Sequence, residues 1–433
     1  MSIPDSSSGK PRKLLIITCS GGAGLIQTAN GKEQEARIKN PQGVIVRRDA
    51  LKDWLWFGIG DGCVNLWNGS QTKGYVWFQS FCVWAQLLVD RFFWPMFFAS
   101  SFYTFWKEDV DEIIDTQNMG TSAIINALRL YNRIKKKEIK LQKVLVDLPT
   151  NKATHFFWPI KSLSKKNRSL LKLITIEPLL EAGETREEFW QKNCRLSDKD
   201  IQYEDVAVRQ SFKKYQGLGK ASGDMKLNIQ FKSHEELSLM QRGYQKGEIQ
   251  AKLNSNELEF VIHPKDKVIT VLLGSQPSSD ATYNYMKKFI RIIQEENFTK
   301  QAIHLFLFCS EYKFHEMSLL ARVVKFIDQM KDYPKHLSII PFSFQTDETI
   351  APLFYRSDIT CTRSGGGTAM ELMCVSNGEI WIHSEAKKTG ETLLRGIPGW
   401  EAANALYLQK IRGAKIVSPE TFAPHASRSL KGN

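Results

Sequence analysis

The sequence predicts an α/β protein built from two parallel-sheet domains. Short continuous apolar runs recur along it, at 13–19, 143–147, 267–273, 302–308 and 337–340. Runs of this kind are strands buried on both faces. Helix-patterned stretches alternate with them, at 121–137, 283–295, 317–330 and 347–356. That alternation implies parallel pairing through right-handed crossovers. A polar, glycine-containing stretch at 210–256 divides the runs into two blocks.

Length and composition agree with this. The chain has 433 residues, long for one domain, and its hydrophobic content of 42% is enough for two cores. The formal net charge of +13 favours anionic partners: phosphorylated substrates, anionic membrane or nucleic acid. No helix-turn-helix, RNP or zinc-finger pattern accompanies it, so nucleic acid is not expected. The seven cysteines are scattered and form no CxxC pair, which predicts a reducing compartment without structural zinc or disulfides. The N-terminal stretch is polar, and the apolar run after it is too short for a signal-peptide core.

In chain order, residues 1–12 read as a disordered lead-in, and 13–209 as an N-terminal Rossmann-like domain. The run 13–19 is its first strand, followed by Ser20-Gly21-Gly22-Ala23-Gly24 and a helix-capable stretch. Residues 44–46, 111–115 and 173–176 are further strands. The segment 75–106 is the compositional outlier, with Trp77, Trp84, Trp94 and Trp106 among many phenylalanines. Gln79, Gln86, Asp90, Arg91 and Pro95 interrupt it, which suits interfacial membrane contact through Trp77, Trp84 and Trp94 better than a span; a core helix pair is the alternative. Nearby basic runs at 133–137 and 165–168 suit anionic headgroups, or simply solvated helix ends. Residues 210–262 read as a linker with surface helices, and 263–433 as a second Rossmann-like domain.

The stretch with the clearest chemistry is Arg363-Ser364-Gly365-Gly366-Gly367-Thr368-Ala369-Met370-Glu371. A strand-like run precedes it and a helix-like run follows. Strand, glycine turn and helix start place an anion on free backbone N–H groups. The glycines permit close approach, Thr368 adds a hydroxyl, and Glu371 lies a turn later, where a carboxylate suits a ribose diol. A tight turn with a solvated glutamate is the plain alternative. Asp147 and His155 follow another strand, at the end where open α/β sheets bind ligands.

Gly274-Ser275-Gln276, Pro341-Phe342, the 351–358 stretch, the glycine motif, Trp400-Glu401 with Asn404-Ala405, and Gly413-Ala414 occur in an order and spacing that resemble glycosyltransferase family 28. This family has the GT-B fold and includes the MurG-type N-acetylglucosaminyltransferases and the glycosyldiacylglycerol synthases. The match is good over 267–419 and thinner before it. The resemblance implies two Rossmann-like domains facing a cleft and an inverting transferase that needs no cofactor and no metal. A UDP-sugar donor would be held by Ser275, Gln276, Arg363, Ser364, Gly365, Gly366, Gly367, Thr368, Glu371, Glu401 and Asn404. Gly21, Gly22 and Gly24 would form the N-terminal phosphate loop. The acceptor would be lipid-linked or a glycolipid, and the protein would sit peripherally on the cytoplasmic face of an anionic membrane, its oligomeric state open.

Three departures from the family pattern follow. The N-terminal glycine loop is followed by Leu25-Ile26-Gln27, without the family histidine, so His155, Asp147 or Glu401 would have to act as base. Trp400-Glu401 stands in place of a polar sugar-recognising pair. Little sequence follows Pro419, so the family's crossing C-terminal helix is expected to be missing or minimal. Two other readings stay open: a divergent, non-catalytic protein that binds a nucleotide sugar or anchors a partner, and a nucleotide-sugar epimerase.

Overall fold

The computed structural model describes residues 11–73, 75–275, 277–296, 298, 301–310, 318–386 and 393–431. The expected lead-in lies outside them up to position 10, as does Gln276. The chain forms two compact units: Met1–Asn65 with Trp84–Val146 and Thr154–Arg209, and Leu66–Val83 with Asp147–Ala153 and Gln210–Asn433.

The first unit is built on a six-stranded sheet of β1 (Lys13–Thr18), β2 (Val44–Asp49), β3 (Glu112–Asp115), β4 (Leu141–Val144), β5 (Leu171–Thr175) and β6 (Ile201–Tyr203). The order is β2-β1-β3-β4-β5-β6, with every pair parallel. The apolar run of β1 is buried in all but its first residue, as a central parallel strand requires. Leu14, Ile16, Ile114, Val144 and Ile174 form a core on one sheet face. The third residue of β4, Lys143, is buried and pairs with Asp115 at 2.8 Å.

The aromatic segment folds as two helices, Val76–Phe92 and Trp94–Glu108. Pro95 opens the second, where a missing N–H costs no hydrogen bond. Among the described residues, no helix is long and apolar enough to cross a membrane. Helix Trp94–Glu108 packs on Thr121–Lys135, with Phe105 and Tyr131 rings 6.0 Å apart.

The second unit repeats the plan with β10 (Lys267–Leu272), β11 (Ile303–Phe308), β12 (Leu337–Phe342), β13 (Ile359–Thr362), β14 (Glu379–His383) and β15 (Lys415–Val417). The order is β12-β11-β10-β13-β14-β15, again all parallel. It is the doubly wound order of a dinucleotide-type sheet, with its switch point between β10 and β13. Both sheets with their flanking helices bear out the α/β, two-Rossmann class.

Residues 210–262 carry more regular structure than their polarity suggests. They form an antiparallel sheet of β7 (Met225–Gln230), β8 (Ala251–Asn254) and β9 (Glu257–Ile262), ordered β7-β9-β8. One face of β9 is buried, and Leu258, Phe260 and Ile262 join Val268, Phe306 and Ile340 in a common core. Half-buried alternation, rather than a continuous apolar run, made these strands hard to see. At the other end, helix Ala423–Lys431 buries Ala426 and Leu430 against Tyr285, Phe289 and Trp381 of the same unit. The short C-terminal stretch therefore supplies a packed helix of the second unit.

One half-buried carboxylate makes the first unit pH-sensitive. Asp90 accepts the Gly120 N–H at 2.9 Å, where Gly120 holds φ at +64° before helix Thr121–Lys135. Burial pushes the Asp90 carboxyl from 3.8 up to about 6, against the Gly120 bond and the Lys143 charge. Between pH ~4 and ~6 the folded state therefore holds a proton that the unfolded state has released. Stability from this group falls as pH rises through that window, and the deficit is complete above about pH 6. Asp90→Asn keeps an acceptor for Gly120 without the charge. It is expected to add about 2–3 kcal/mol at pH 7 and almost nothing at pH 4 in urea unfolding. An equal effect at both pH values would reject this account.

Candidate functional site

The second unit's switch point brings two sequence motifs together. β10 and β13 are parallel neighbours, so the turns that follow them leave the same edge of the sheet. Gly274, after β10, has φ +81°, a left-handed conformation that glycine adopts without strain. A Cβ there would lie 3.9 Å from Arg363 Cδ, so the Gly274-Ser275 turn faces the glycine motif after β13.

Helix Gly366–Val375 starts directly from that motif. Gly365 is its N-cap residue and provides no side-chain cap. The first intrahelical bond closes from Ala369 N to Gly365 O at 2.9 Å. Geometry therefore leaves the N–H groups of Gly366, Gly367 and Thr368 outside the helix ladder, at its positive pole. Gly365 and Thr368 are half-buried, while Gly366 and Gly367 are buried. Glu371 follows on the same helix and is buried.

Arg363 is held in a fork. Its Nε and Nη2 donate to Glu401 Oε2 and Oε1 at 3.2 and 3.1 Å. Nη2 also reaches Gln79 Oε1 at 3.4 Å. Ser364 Oγ donates to the Glu401 carbonyl at 2.7 Å. Asn404 Nδ2 donates to the Ser364 carbonyl at 2.8 Å and to Asp147 Oδ1 at 2.7 Å, and Asn404 Oδ1 accepts from Leu148 N at 2.7 Å. Helix Gly399–Arg412, the β13 turn and residues 147–153 are thus joined through one asparagine. The Trp400 ring, beside Glu401, stacks on Trp67 with centroids 5.4 Å apart.

Sequence reasoning passed over a second carboxylate. Glu385 lies just past β14, and His383 Nε2 stands 3.2 Å from its Oε1. Burial pushes the Glu385 carboxyl up, but His383, Arg363 and a hydrogen bond from Ser278 outweigh it and hold the group below the usual range. Tyr285 OH lies 3.0 Å from His383 Nδ1 and extends this chain into the core. The usable signal was position: Glu385 immediately follows a parallel strand, on the edge where ligands bind. Gln79 and Trp67 were also passed over. Gln79 is fully buried, although its sequence neighbours had marked it as a polar interruption of an aromatic surface.

Ser275, the Arg363–Thr368 residues, Glu371, Glu401, Asn404 and Asp147 therefore all belong to the second unit. Gly21, Gly22, Gly24 and His155 belong to the first. Gly22 is the extended N-cap of helix Ala23–Lys39, with no side-chain cap, so this turn also offers first-turn amides. His155 is buried in helix Thr154–Lys161, its ring edge-on to Phe156 and its carbonyl accepting from Gln86 at 3.3 Å. Trp77 is 71% and Trp84 63% exposed, whereas Trp94 is half-buried and stacks on Phe98. Among the described residues, no cluster of histidine, cysteine or carboxylate side chains is arranged to hold a metal ion.

The fork is testable by itself. The Arg363 and Glu401 side chains are 12% and 6% exposed, so removing one charge strands the other away from water. Glu401→Gln is expected to cost about 2–4 kcal/mol in denaturant unfolding, and Arg363→Met with Glu401→Gln much less than the sum of the two single changes. Strict additivity across this cycle would show that the pair is energetically idle.

No family model matches the chain, and no curated protein matches it. Among solved structures, the chain is similar to MurG of Acinetobacter baumannii at 10% identity and a TM-score of 0.45, over 97% of this chain and 90% of that one. The spinosyn rhamnosyltransferase SpnG complexed with thymidine diphosphate gives 7% identity and 0.41, over 97% and 89%. The UDP-GlcNAc 2-epimerase of Neisseria meningitidis bound to UDP-GlcNAc gives 10% and 0.41, over 98% and 100%. Overlays this loose do not bear on activity, and the fold class above rests on the strand orders themselves.

Proposed function

We propose that this protein is a GT-B-type glycosyltransferase that takes a UDP-sugar on its second unit and transfers the sugar, with inversion, to a lipid-linked acceptor at the cytoplasmic face of an anionic membrane. The observation that carries this reading is the uncapped, glycine-started helix Gly366–Val375 at the β10/β13 switch point, with buried Glu371 on the same helix. A diphosphate would take the N–H groups of Gly366, Gly367 and Thr368, and Glu371 the ribose hydroxyls.

In the proposed step the acceptor oxygen bonds to the anomeric carbon while the anomeric C–O bond to UDP breaks. Negative charge then grows on the leaving phosphate, where fixed amides and the helix pole stabilise it without reorganising. The acceptor proton passes to a carboxylate or imidazole. Glu401 is committed to Arg363, and His155 is packed in the other unit. Asp147 is our choice of base, because Asn404 orients its carboxylate and also holds the Ser364 carbonyl of the donor motif.

Membrane contact is proposed through helix Val76–Phe92. Trp77, Phe81, Trp84, Leu88 and Phe92 are all exposed and recur at three- and four-residue steps, so they share one helix face. Lys107 sits over the Tyr103 ring and Lys135 over the Trp106 ring, at 5.9 and 4.6 Å, which adds cations beside exposed aromatics. A non-catalytic anchoring role is the second reading, favoured by the turn after β1, which carries no histidine among Gly21–Gln27.

UDP or UDP-GlcNAc at about 100 times its Kd is expected to raise the melting temperature by roughly 5 °C or more. Glu371→Gln should weaken that binding at least about tenfold, and Asp147→Asn should abolish turnover while leaving UDP affinity intact. Nucleotide binding without transfer to any lipid acceptor would favour the second reading. Separately, Trp84→Ser with Leu88→Ser is expected to cut flotation with phosphatidylglycerol vesicles about tenfold or more, and Trp94→Leu to change it little. Unchanged flotation of the double variant would remove the membrane part of the proposal.

A further inference from the structure

The second unit includes Leu66–Val83, the end of helix Ile59–Thr72 and the start of helix Val76–Phe92. These residues lie on the donor motif. Trp67 covers the face of Trp400 at 5.4 Å between centroids, with the rings 30° from parallel. A pyranose ring sandwiched between two aromatic faces needs a wider gap, because each sugar–ring contact alone occupies about 4 Å. Gln79 is fully buried and brings Oε1 to Arg363, while its Nε2 reaches the Ser70 carbonyl at 3.3 Å. With both Glu401 oxygens also on Arg363, the guanidinium is turned toward protein acceptors. Glu401 and Asn404 are buried in the same arrangement.

The covering segment is itself weakly held. Its stretch of helix Ile59–Thr72 contains Gly69, which costs about 1 kcal/mol of helix propensity relative to alanine. The Trp67 indole N–H is buried with no hydrogen-bond partner, which costs roughly 1–3 kcal/mol against an exposed alternative. The Gln79 contact to Arg363, at 3.4 Å, is long for a hydrogen bond. On its outer side the segment exposes Leu66, Tyr75 and Trp77, so little apolar burial fastens it.

We propose that the helix ends Leu66–Lys73 and Tyr75–Val83 form an occluding strap that closes the nucleotide-sugar site of the second unit and must lift before the donor enters. This rests on the donor reading above. Strap closure lowers the apparent affinity for the donor by the fraction of molecules in which the strap is open. Trp67 and Gln79 are the two fasteners, acting through Trp400 and Arg363.

The test measures UDP-GlcNAc and UDP binding by calorimetry for the full chain and three variants. Trp67→Ala and Gln79→Ala are expected to tighten binding about three- to tenfold. Gln79→Glu, which adds a carboxylate against Arg363, is expected to weaken it. Because the alanine variants risk misfolding, hydrogen exchange on the unmodified protein gives an independent measure. Amides of the strap should lose protection when UDP-GlcNAc is added, while those of β10 and β13 gain it. If the unmodified protein binds UDP-GlcNAc but the alanine variants bind equally or more weakly, the strap inference falls and the donor reading stands. If neither the unmodified protein nor any variant binds a nucleotide, both fall.

Discussion

The Arg363–Glu401 fork is the interaction on which the second unit's ligand edge depends. Both side chains are almost wholly withdrawn from water, so each charge tolerates its position only because the other is there. The fork fixes the turn after β13 to the start of helix Gly399–Arg412. Ser364 and Asn404 then add neutral hydrogen bonds between the same two elements. The helix Gly366–Val375 is aimed by this frame, because its first residues continue directly from Arg363 and Ser364. A small shift of the fork would move the first-turn amides, whose value to an anion depends on fixed direction.

Two carboxylates surround this one guanidinium. Glu385 approaches from the β14 side, and the Arg363 charge helps keep it ionised against the cost of burial. The immediate neighbourhood of Arg363 is therefore not a cationic cradle. An anion at this edge would be held by the backbone amides, while the side chains around Arg363 present carboxylate oxygens, which suit hydroxyl donors. On the proposed reading, that division would put the charged leaving group and the neutral sugar at different parts of the same edge. On that reading the glycine-rich turn has a role as well, since bulk there would hold an anion away from the amides.

Much of this arrangement was legible in the sequence, for reasons that differ by element. β1, β10, β11 and β12 are continuous apolar runs, so burial on both faces marked them. The glycine motif was legible because its conformational demand is local. β7, β8 and β9 were not, because a sheet buried on one face mixes charged and apolar residues, as Glu257–Ile262 does. The partner of Arg363 was visible as a family position, but its fork was not, since 37 residues lie between them in sequence and only the β13–β14 crossover brings them together. Gln79 was the least legible of all. Its meaning depends on Arg363, and a separation of 284 residues along the chain leaves no local trace of that contact.

Gln79 also shows how one helix can serve two surroundings. In Val76–Phe92 the polar residues Gln79 and Gln86 are buried, while Trp77, Phe81, Trp84 and Leu88 face outward. That is the reverse of the amphipathic order in a water-soluble helix. The inversion has a simple physical reading. A buried glutamine requires specific polar partners, and it has them: Gln79 meets Ser70 and Arg363, and Gln86 meets the Asn118 and His155 carbonyls. The outward aromatics carry no such demand and gain by leaving water for any apolar phase. A surface that withdraws Trp77 and Phe81 from water would therefore act on the same helical turns that carry Gln79 on their inner face.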